Sequence, residues 1–263
     1  MTVLSLTTDF GIRNGFVGVM KGVIYGIVPD VKIVDISHSI APQDIHEGTM
    51  ALWRAAPFFP RGTVHVFVVD PGVGTSRRPI AARLGDQFYV GPDNGFLTPL
   101  IEDAERSRHP VEFVHTNNPR YWLSKVSRTF HGRDIFSPVG AHLAGGIALT
   151  ELGTTIDDPL RLELSRPAQT DGGWTAHITV VDIFGNLTTD LPASSLQGRT
   201  DVLFRLRGAE VNGIVESYGH KQAGDLVAVI DSEEYIEIAV VHGNAAQKLN
   251  AKVGDEVEVI YND

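Results

Sequence analysis

The segment Val66–Pro79 reads VFVVDPGVGTSRRP. Apolar β-formers run straight into a carboxylate, Asp70, followed by a Pro-Gly turn, a second glycine and the paired guanidinium groups of Arg77 and Arg78. A carboxylate opening a tight glycine loop can be met by an arginine folding back from the loop's end, and such charge-assisted pairs are strong and directional. An ion pair that only braces the turn is the plain alternative. Spacing does not choose between Arg77 and Arg78. The loop lacks the Gly-Lys-Ser/Thr ending of a phosphate-binding loop and the spacing of a dinucleotide fingerprint, so neither ligand is expected on that ground. Downstream, TFHGRDIFSP sets His131 between an apolar and a charged pair. Carboxylate, guanidinium and imidazole are the types needed to handle a proton near neutrality, imidazole above all. His-Gly-Arg-Asp is not the His-Glu-x-x-His of zinc hydrolases, and His38, His46, His65 and His142 show no ligand spacing, so no metal is expected.

These groups need a scaffold. VLSL reads as a first strand, and Phe16, Met20, Val23, Ile24 and Ile27 recur at helical spacing until Pro29 ends the run. VKIVDI reads as a second strand, Asp44 as the N-cap of a helix reaching Ala56, and TVHVFVV as a third strand. QFYVG and VEFVH continue the series, and DIFSPVGAHLAGG reads as a helix starting near Pro138 and ending at a glycine pair. Strands alternating with helices predict a parallel-rich α/β sheet. Ligands of such sheets bind outside the carboxyl ends of the strands. There stand Asp9 after the first strand, the Asp35–His38 stretch after the second and Asp70 after the third. Any one of them could be only a helix cap or turn former; three at consecutive strand ends point to a site.

The texture changes at Ser165–Gly173, SRPAQTDGG, which reads as a polar linker. Beyond it WTAHITVVDI, DVLFRLRG, DLVAVI, YIEIAVV and DEVEVIYN are short runs split by Gly, Asn and Asp turns, predicting a small antiparallel β-barrel or sandwich. Two domains are expected, residues 1–165 and 172–263. In VDIFGNLTT the turn composition is ordinary. Phe184 beside Asn186 nevertheless joins a ring that can stack a flat ligand to an amide that can read its edge.

The 263 residues carry a formal charge of -10 and no cysteine. The charge repels a phosphate backbone and argues against nucleic acid as a partner. The missing thiols exclude disulfides, thiolate nucleophiles and Cys-rich zinc sites, and suit a cytoplasmic protein. MTVLSLTTDFG has neither the basic start nor the apolar core of a targeting segment, and no apolar run nears the ~20 residues that span a bilayer, so no membrane association is expected.

Taken in order, LTTDFG, GVMKGVIYGIVPD, IVDISHSI, VFVVDPGVGT, YVGPDNG, TFHGRDIF and DIFGNLTT resemble the S-adenosyl-L-methionine (SAM) hydroxide adenosyltransferase family, the adenosine-forming SAM hydrolases related to the SAM-dependent fluorinating and chlorinating enzymes. The resemblance covers nearly the whole chain. It implies an N-terminal α/β domain, a C-terminal β-barrel and a homotrimer whose sites lie between one subunit's N-terminal domain and a neighbour's C-terminal domain. It also implies SAM as substrate with no cofactor: water or hydroxide attacks the ribose C5′, and adenosine and methionine leave. The family's Asp-Arg-His set falls on Asp70, Arg77 and His131. Asp9 resembles the carboxylate that grips both ribose hydroxyls, Asp182 the partner of the methionine ammonium, Phe184 the ring on adenine, Asn186 the amide at the adenine edge, and Ser232 the methionine-carboxylate ligand. Asn14 stands where many relatives carry an aspartate, and Ser232-Glu233-Glu234-Tyr235 replaces a more usual Ser-x-Gly, so the methionine end departs more from the pattern than the ribose end.

A halide-using enzyme is the nearest alternative. In the halogenating relatives a tyrosine replaces the aspartate and the arginine is missing, whereas Asp70 and Arg77 are both present here. A non-catalytic SAM or adenosine sensor would need Asp9, Phe184 and Asn186 without the Asp-Arg-His set; an oligomeric scaffold would leave the strand-end polar residues as caps.

Overall fold

A computed structural model describes residues 2–262. The chain divides after Leu162 into two compact units.

The first unit runs β1 (Val3–Thr8), α1 (Phe16–Ile27), β2 (Lys32–Ser37), α2 (Ile45–Ala55), β3 (Val64–Val68), β4 (Pro79–Leu84), β5 (Gln87–Pro92), α3 (Thr98–Arg106), β6 (Val111–His115), α4 (Ser137–Ala144) and β7 (Thr154–Ile156). Its seven strands lie in the order β2-β1-β3-β5-β4-β6-β7. β2, β1, β3 and β5 are mutually parallel, while β4 and β6 pair antiparallel with their neighbours and β7 with β6. The sheet is therefore mixed, parallel from β2 to β5 and antiparallel from β5 to β7. The difference comes from Pro79–Leu84, a strand the sequence pattern conceals. Leu84 pairs with Gln87, so Gly85 and Asp86 alone connect β4 to β5, and a two-residue connection permits only an antiparallel hairpin.

β1 and β3 are covered on both faces. Leu4, Leu6, Val64, Val66 and Val68 meet Met20 and Ile24 of α1 and Val139 and Leu143 of α4. Phe67, Val69 and Ile80 face the other way, against Leu52 of α2 and Leu100 and Ile101 of α3. Each such side chain contributes about 1.5–3 kcal/mol of burial. Helix α4 lies so close to the sheet that a Cβ on Gly140 would stand 2.5 Å from Val66 Cγ2.

α1 occupies the span its periodicity predicts. Asp44 caps α2 as expected, accepting from the Glu47 amide at 2.9 Å. α4 carries Pro138 in its first turn, where the missing N–H does no harm, and a π-type turn, Gly132–Phe136, leads into it.

The second unit comprises β8 (Ala168–Thr170), β9 (Gly173–Val181), β10 (Leu187–Pro192), β11 (Val202–Leu206), β12 (Ala209–Asn212), β13 (Leu226–Ile230), β14 (Tyr235–Val240), α5 (Ala245–Leu249) and β15 (Glu256–Tyr261). Its antiparallel sheet follows the order β12-β11-β15-β9-β10-β14-β13, with β8 beside β9. The ends of that path approach through one bridge, Ile214–Ala228, so the sheet nearly closes into a barrel. Ile178, Leu187, Phe204, Ile236, Ile238 and Val257 fill its interior. The stretch read as a linker contributes β8, because the turn at Asp171 and Gly172 folds it back onto β9.

Candidate active site

Asp70 lies beyond the carboxyl end of β3, after the fully buried Val69. Its Oδ1 accepts from Arg77 Nε at 2.9 Å and its Oδ2 from the same nitrogen at 3.0 Å; Arg77 Nη2 also donates to Oδ2. That Nη2 lies 2.8 Å from His131 Nδ1. The Asp70 and Arg77 side chains are only 5% and 10% exposed, so the pair is shielded from the screening that weakens surface ion pairs. The Arg77 guanidinium also sits 5.1 Å over the Phe136 ring.

Because a guanidinium can only donate, His131 Nδ1 must be unprotonated in this contact. Burial and the Arg77 charge both push the His131 pKa below its ordinary value; Asp70, the Ser127 backbone and Asp134 push back without reversing the shift. His131 is a neutral imidazole at pH 7.

The glycine loop makes this geometry reachable. Val73 N donates to the Asp70 carbonyl and Thr75 N to the Gly72 carbonyl, coiling the loop so that Arg77 returns to Asp70. Gly74 has φ 78°, and a Cβ there would lie 2.3 Å from the Arg128 carbonyl oxygen. Only glycine lets the Asp70 loop press against the segment that delivers His131. The geometry also separates the two arginines: Arg78 turns away, its Nε 2.8 Å from Asp93 Oδ2 and its Nη1 2.7 Å from Asp158 Oδ1.

Asp9 and Asp70 line one cleft of about 330 Å³, together with Gln43, Thr129 and His131. Gln43 takes a left-handed backbone conformation, φ 67°, and its amide donates to Asp9 Oδ2 at 2.8 Å. Phe10, Phe16 and Phe130 wall the cleft as an edge-to-face triad with centroids 5.3–5.7 Å apart. Sequence reasoning missed this apolar wall and Gln43. The available signal was that Phe10 and Phe130 directly adjoin Asp9 and His131. Asn14 is exposed on the segment before α1 and does not line the cleft.

The second unit carries the remaining candidates. Asp182 braces its own loop: Oδ1 accepts from the Phe184 and Asn186 amides at 2.9 and 2.8 Å, and Oδ2 from Asn186 Nδ2 at 3.1 Å. A Cβ on Gly185 would collide with Asn244, the N-cap of α5, and the Gly185 carbonyl accepts from the Ala246 amide. On this clamped turn Phe184 is 71% exposed and Ile183 92%. Ser232 is exposed in the β13–β14 turn, whose shape Asp231 sets by accepting from the Glu233 and Tyr235 amides. Among the described residues, no group of three or more His, Asp or Glu is placed to hold a metal ion, and no helix is long and apolar enough to cross a membrane.

Residues 4–153 match the model of the SAM hydroxide adenosyltransferase N-terminal domain, and residues 176–258 that of the C-terminal domain. The chain belongs to the SAM hydroxide adenosyltransferase family. This is the family that the motifs imply. Within it, the chain is 38% identical to an (R)-S-adenosyl-L-methionine hydrolase of Salinispora tropica, over 97% of both chains. It is 33% identical to the protein of the same name from Methanocaldococcus jannaschii, covering 99% of this chain and 97% of that one. A fluorinase of an Actinoplanes species is more distant, 29% identical over 98% of this chain and 97% of its own. The SAM hydroxide adenosyltransferase fold found here is also similar to the crystal structure of an uncharacterized conserved protein from Thermotoga maritima, with TM-score 0.90 and 35% identity over 99% of this chain and 100% of that one.

Proposed function

We propose that this chain hydrolyses SAM to adenosine and L-methionine, water or hydroxide attacking the ribose C5′. The observation that carries the proposal is the unbroken contact from Asp70 through Arg77 to His131 in a cleft shared with Asp9. The hydrolase names of relatives at 33–38% identity support it. The named fluorinases stand further off, at 24–29%.

The chemistry suits these groups. The new bond joins a water oxygen to C5′; the C5′–S pair departs with sulfur, which leaves as a neutral thioether and needs no acid. One proton is released. The protein's work is to place a water in line and to stabilise the charge it develops. Water's own pKa of about 15.7 makes free hydroxide scarce. Asp70 keeps lone pairs beyond those that Arg77 fills, so it can accept from the attacking water. Arg77 and the neutral His131 hold that carboxylate in one orientation.

Asp9 is a bidentate acceptor for the ribose diol, with Gln43 fixing one oxygen. Phe184 stacks adenine, and Asn186 reads its edge with the carbonyl and N–H that Asp182 leaves unused. Asp182 Oδ2 retains a lone pair for the methionine ammonium, Ser232 meets the methionine carboxylate, and Asn14 replaces a charge at the ammonium end. A homotrimer whose subunits share each site and a cytoplasmic location belong to the same proposal, on the family resemblance.

Incubation with SAM in 18O-labelled water, followed by mass spectrometry, tests the reaction. Labelled adenosine with methionine is expected. Intact SAM where binding is separately measured would instead assign the site to sensing.

A further inference from the structure

Asp134 is a fully buried carboxylate three residues from His131, and the reaction outlined above gives it no task. Burial alone would raise its pKa, but hydrogen bonds from Arg133 and Ser127 outweigh burial and hold it below the usual carboxylate range. It stays charged, and its partners show what the charge does. Arg133 Nε donates to Oδ1 at 2.6 Å, and the same guanidinium lies 5.1 Å over Phe130, one of the rings walling the cleft. The Ser127 amide and hydroxyl both donate to Oδ2 at 2.7 Å. Ser127 Oγ then accepts from the Phe130 amide at 3.1 Å. Phe130 directly precedes His131, so this contact fixes the backbone that carries the ring. With Nδ1 accepting from Arg77, the proton of the neutral ring sits on Nε2.

We propose that Asp134 and Ser127 are the positioning pair of this site, clamping residues 127–130 so that the His131 ring is held with its bare Nδ1 against Arg77 and hence as its Nε2–H tautomer. Asp134 ties down Ser127, Ser127 ties down the Phe130 amide beside His131, and the ring orients the guanidinium that holds Asp70. Two links of this chain are direct side-chain contacts to the loop, and the π-type turn at Gly132–Phe136 brings Asp134 back under it. Such turns favour functional sites because they re-aim the residues around them. Neither residue touches the space open to a ligand: the cleft is lined by Thr129, Phe130, His131 and Gly132 from this stretch and not by Ser127 or Asp134. Their loss should therefore appear in turnover and not in substrate affinity. What the positioned set does rests on the SAM-hydrolysis reading; the positioning itself does not.

Two measurements on the full chain separate these. 15N-histidine NMR without substrate reads the tautomer: wild type is expected to show His131 as a single Nε2–H form, and Ser127→Ala an exchanging mixture. In steady-state kinetics with SAM, Ser127→Ala and Asp134→Asn are expected to lower kcat at least about tenfold, as misplacement does, with KM within about threefold. Ser127→Thr, which restores the hydroxyl, is expected to recover kcat to within about threefold of wild type. A folded Ser127→Ala protein whose His131 tautomer is unchanged, or whose loss falls on KM, overturns the proposal. If Asp134→Asn does not fold, the Ser127 variants decide. If wild type leaves SAM intact, the hydrolysis reading fails alone and the NMR comparison still judges the clamp.

Discussion

Arg77 Nη2 donates at once to Asp70 Oδ2 and to His131 Nδ1, the latter at 2.8 Å. One guanidinium thus bridges a carboxylate and an imidazole that do not pair with each other, and the three act as a unit whose members lose function together. The effects of Asp70 and His131 substitutions on turnover should accordingly be far from additive.

Asp70→Asn keeps the shape but replaces a charged acceptor with an amide that cannot accept Arg77's fork on both atoms. A fall in kcat of about 100-fold or more is expected, within the range that proton-handling groups contribute. SAM affinity should stay within about tenfold, roughly 1.4 kcal/mol, if Asp70 holds the attacking water as proposed and does not grip the substrate. Calorimetric binding beside single-turnover kinetics checks this; affinity lost in step with turnover would mean that Asp70 grips SAM.

The neighbouring arginines should part company. Arg77→Lys forfeits the bidentate geometry toward Asp70 and is expected to lower kcat strongly. Arg78→Lys loosens contacts to Asp93 and Asp158, remote from the cleft. Its kcat should remain within about twofold while stability drops by about 1–3 kcal/mol, measured by urea unfolding. A reversed pattern would exchange their assignments.

Phe184→Ala removes a ring that is 71% exposed and hence supports little of the barrel core. Unfolding stability should move by less than about 0.5 kcal/mol. If the ring stacks adenine, KM for SAM should rise by up to about tenfold, matching the 0.5–1.5 kcal/mol of an aromatic pair. A destabilised protein with unchanged KM would place the ring inside an interface instead.

His65 is buried in the first unit, 2.6 Å from Ser5 Oγ and stacked on Tyr89. Burial pushes its pKa down to about 4. Unfolding restores an ordinary value near 6.5, so between these values the unfolded chain binds the extra proton. This contribution to stability is complete above pH 6.5 and is lost as pH falls through 4, roughly 3 kcal/mol in all. His65→Gln should be weaker at pH 7 but should lose about 3 kcal/mol less than wild type between pH 7 and 4. Parallel pH profiles of urea stability in the two proteins would contradict the assignment.

The carboxylate at the end of β3 was legible because an unbroken apolar run cannot pass through Asp70 and remain buried. β4 was not, since PIAARL opens on proline and follows two arginines, and its pairing is dictated by the two-residue turn behind it and not by its own pattern. Phe16 fits the helical period of α1, so nothing in the sequence separates its role as a wall of the cleft from core packing. In the sequence Arg133-Asp134 is only a charged pair; that the aspartate is fully buried goes with the π-type turn, which no periodicity announces. In the second unit, Asp182 reads as a turn former and is one.

The mixed sheet also bears on the order in which the molecule assembles. β4 and β5 meet across a two-residue turn, whereas β1 meets β3 by pairing Leu4 with Val64, some 60 residues apart. Loop closure of the second kind comes slowly and is rewarded only when complete. The hairpin can zip while β1 and β3 are still unpaired. Since Asp70 takes its position from β3, the cleft belongs to the late-formed part of the structure, and pulse-labelled hydrogen exchange should find β4–β5 amides protected before those of β1. A refolding chain will thus hold its antiparallel hairpin well before it has anywhere to bind.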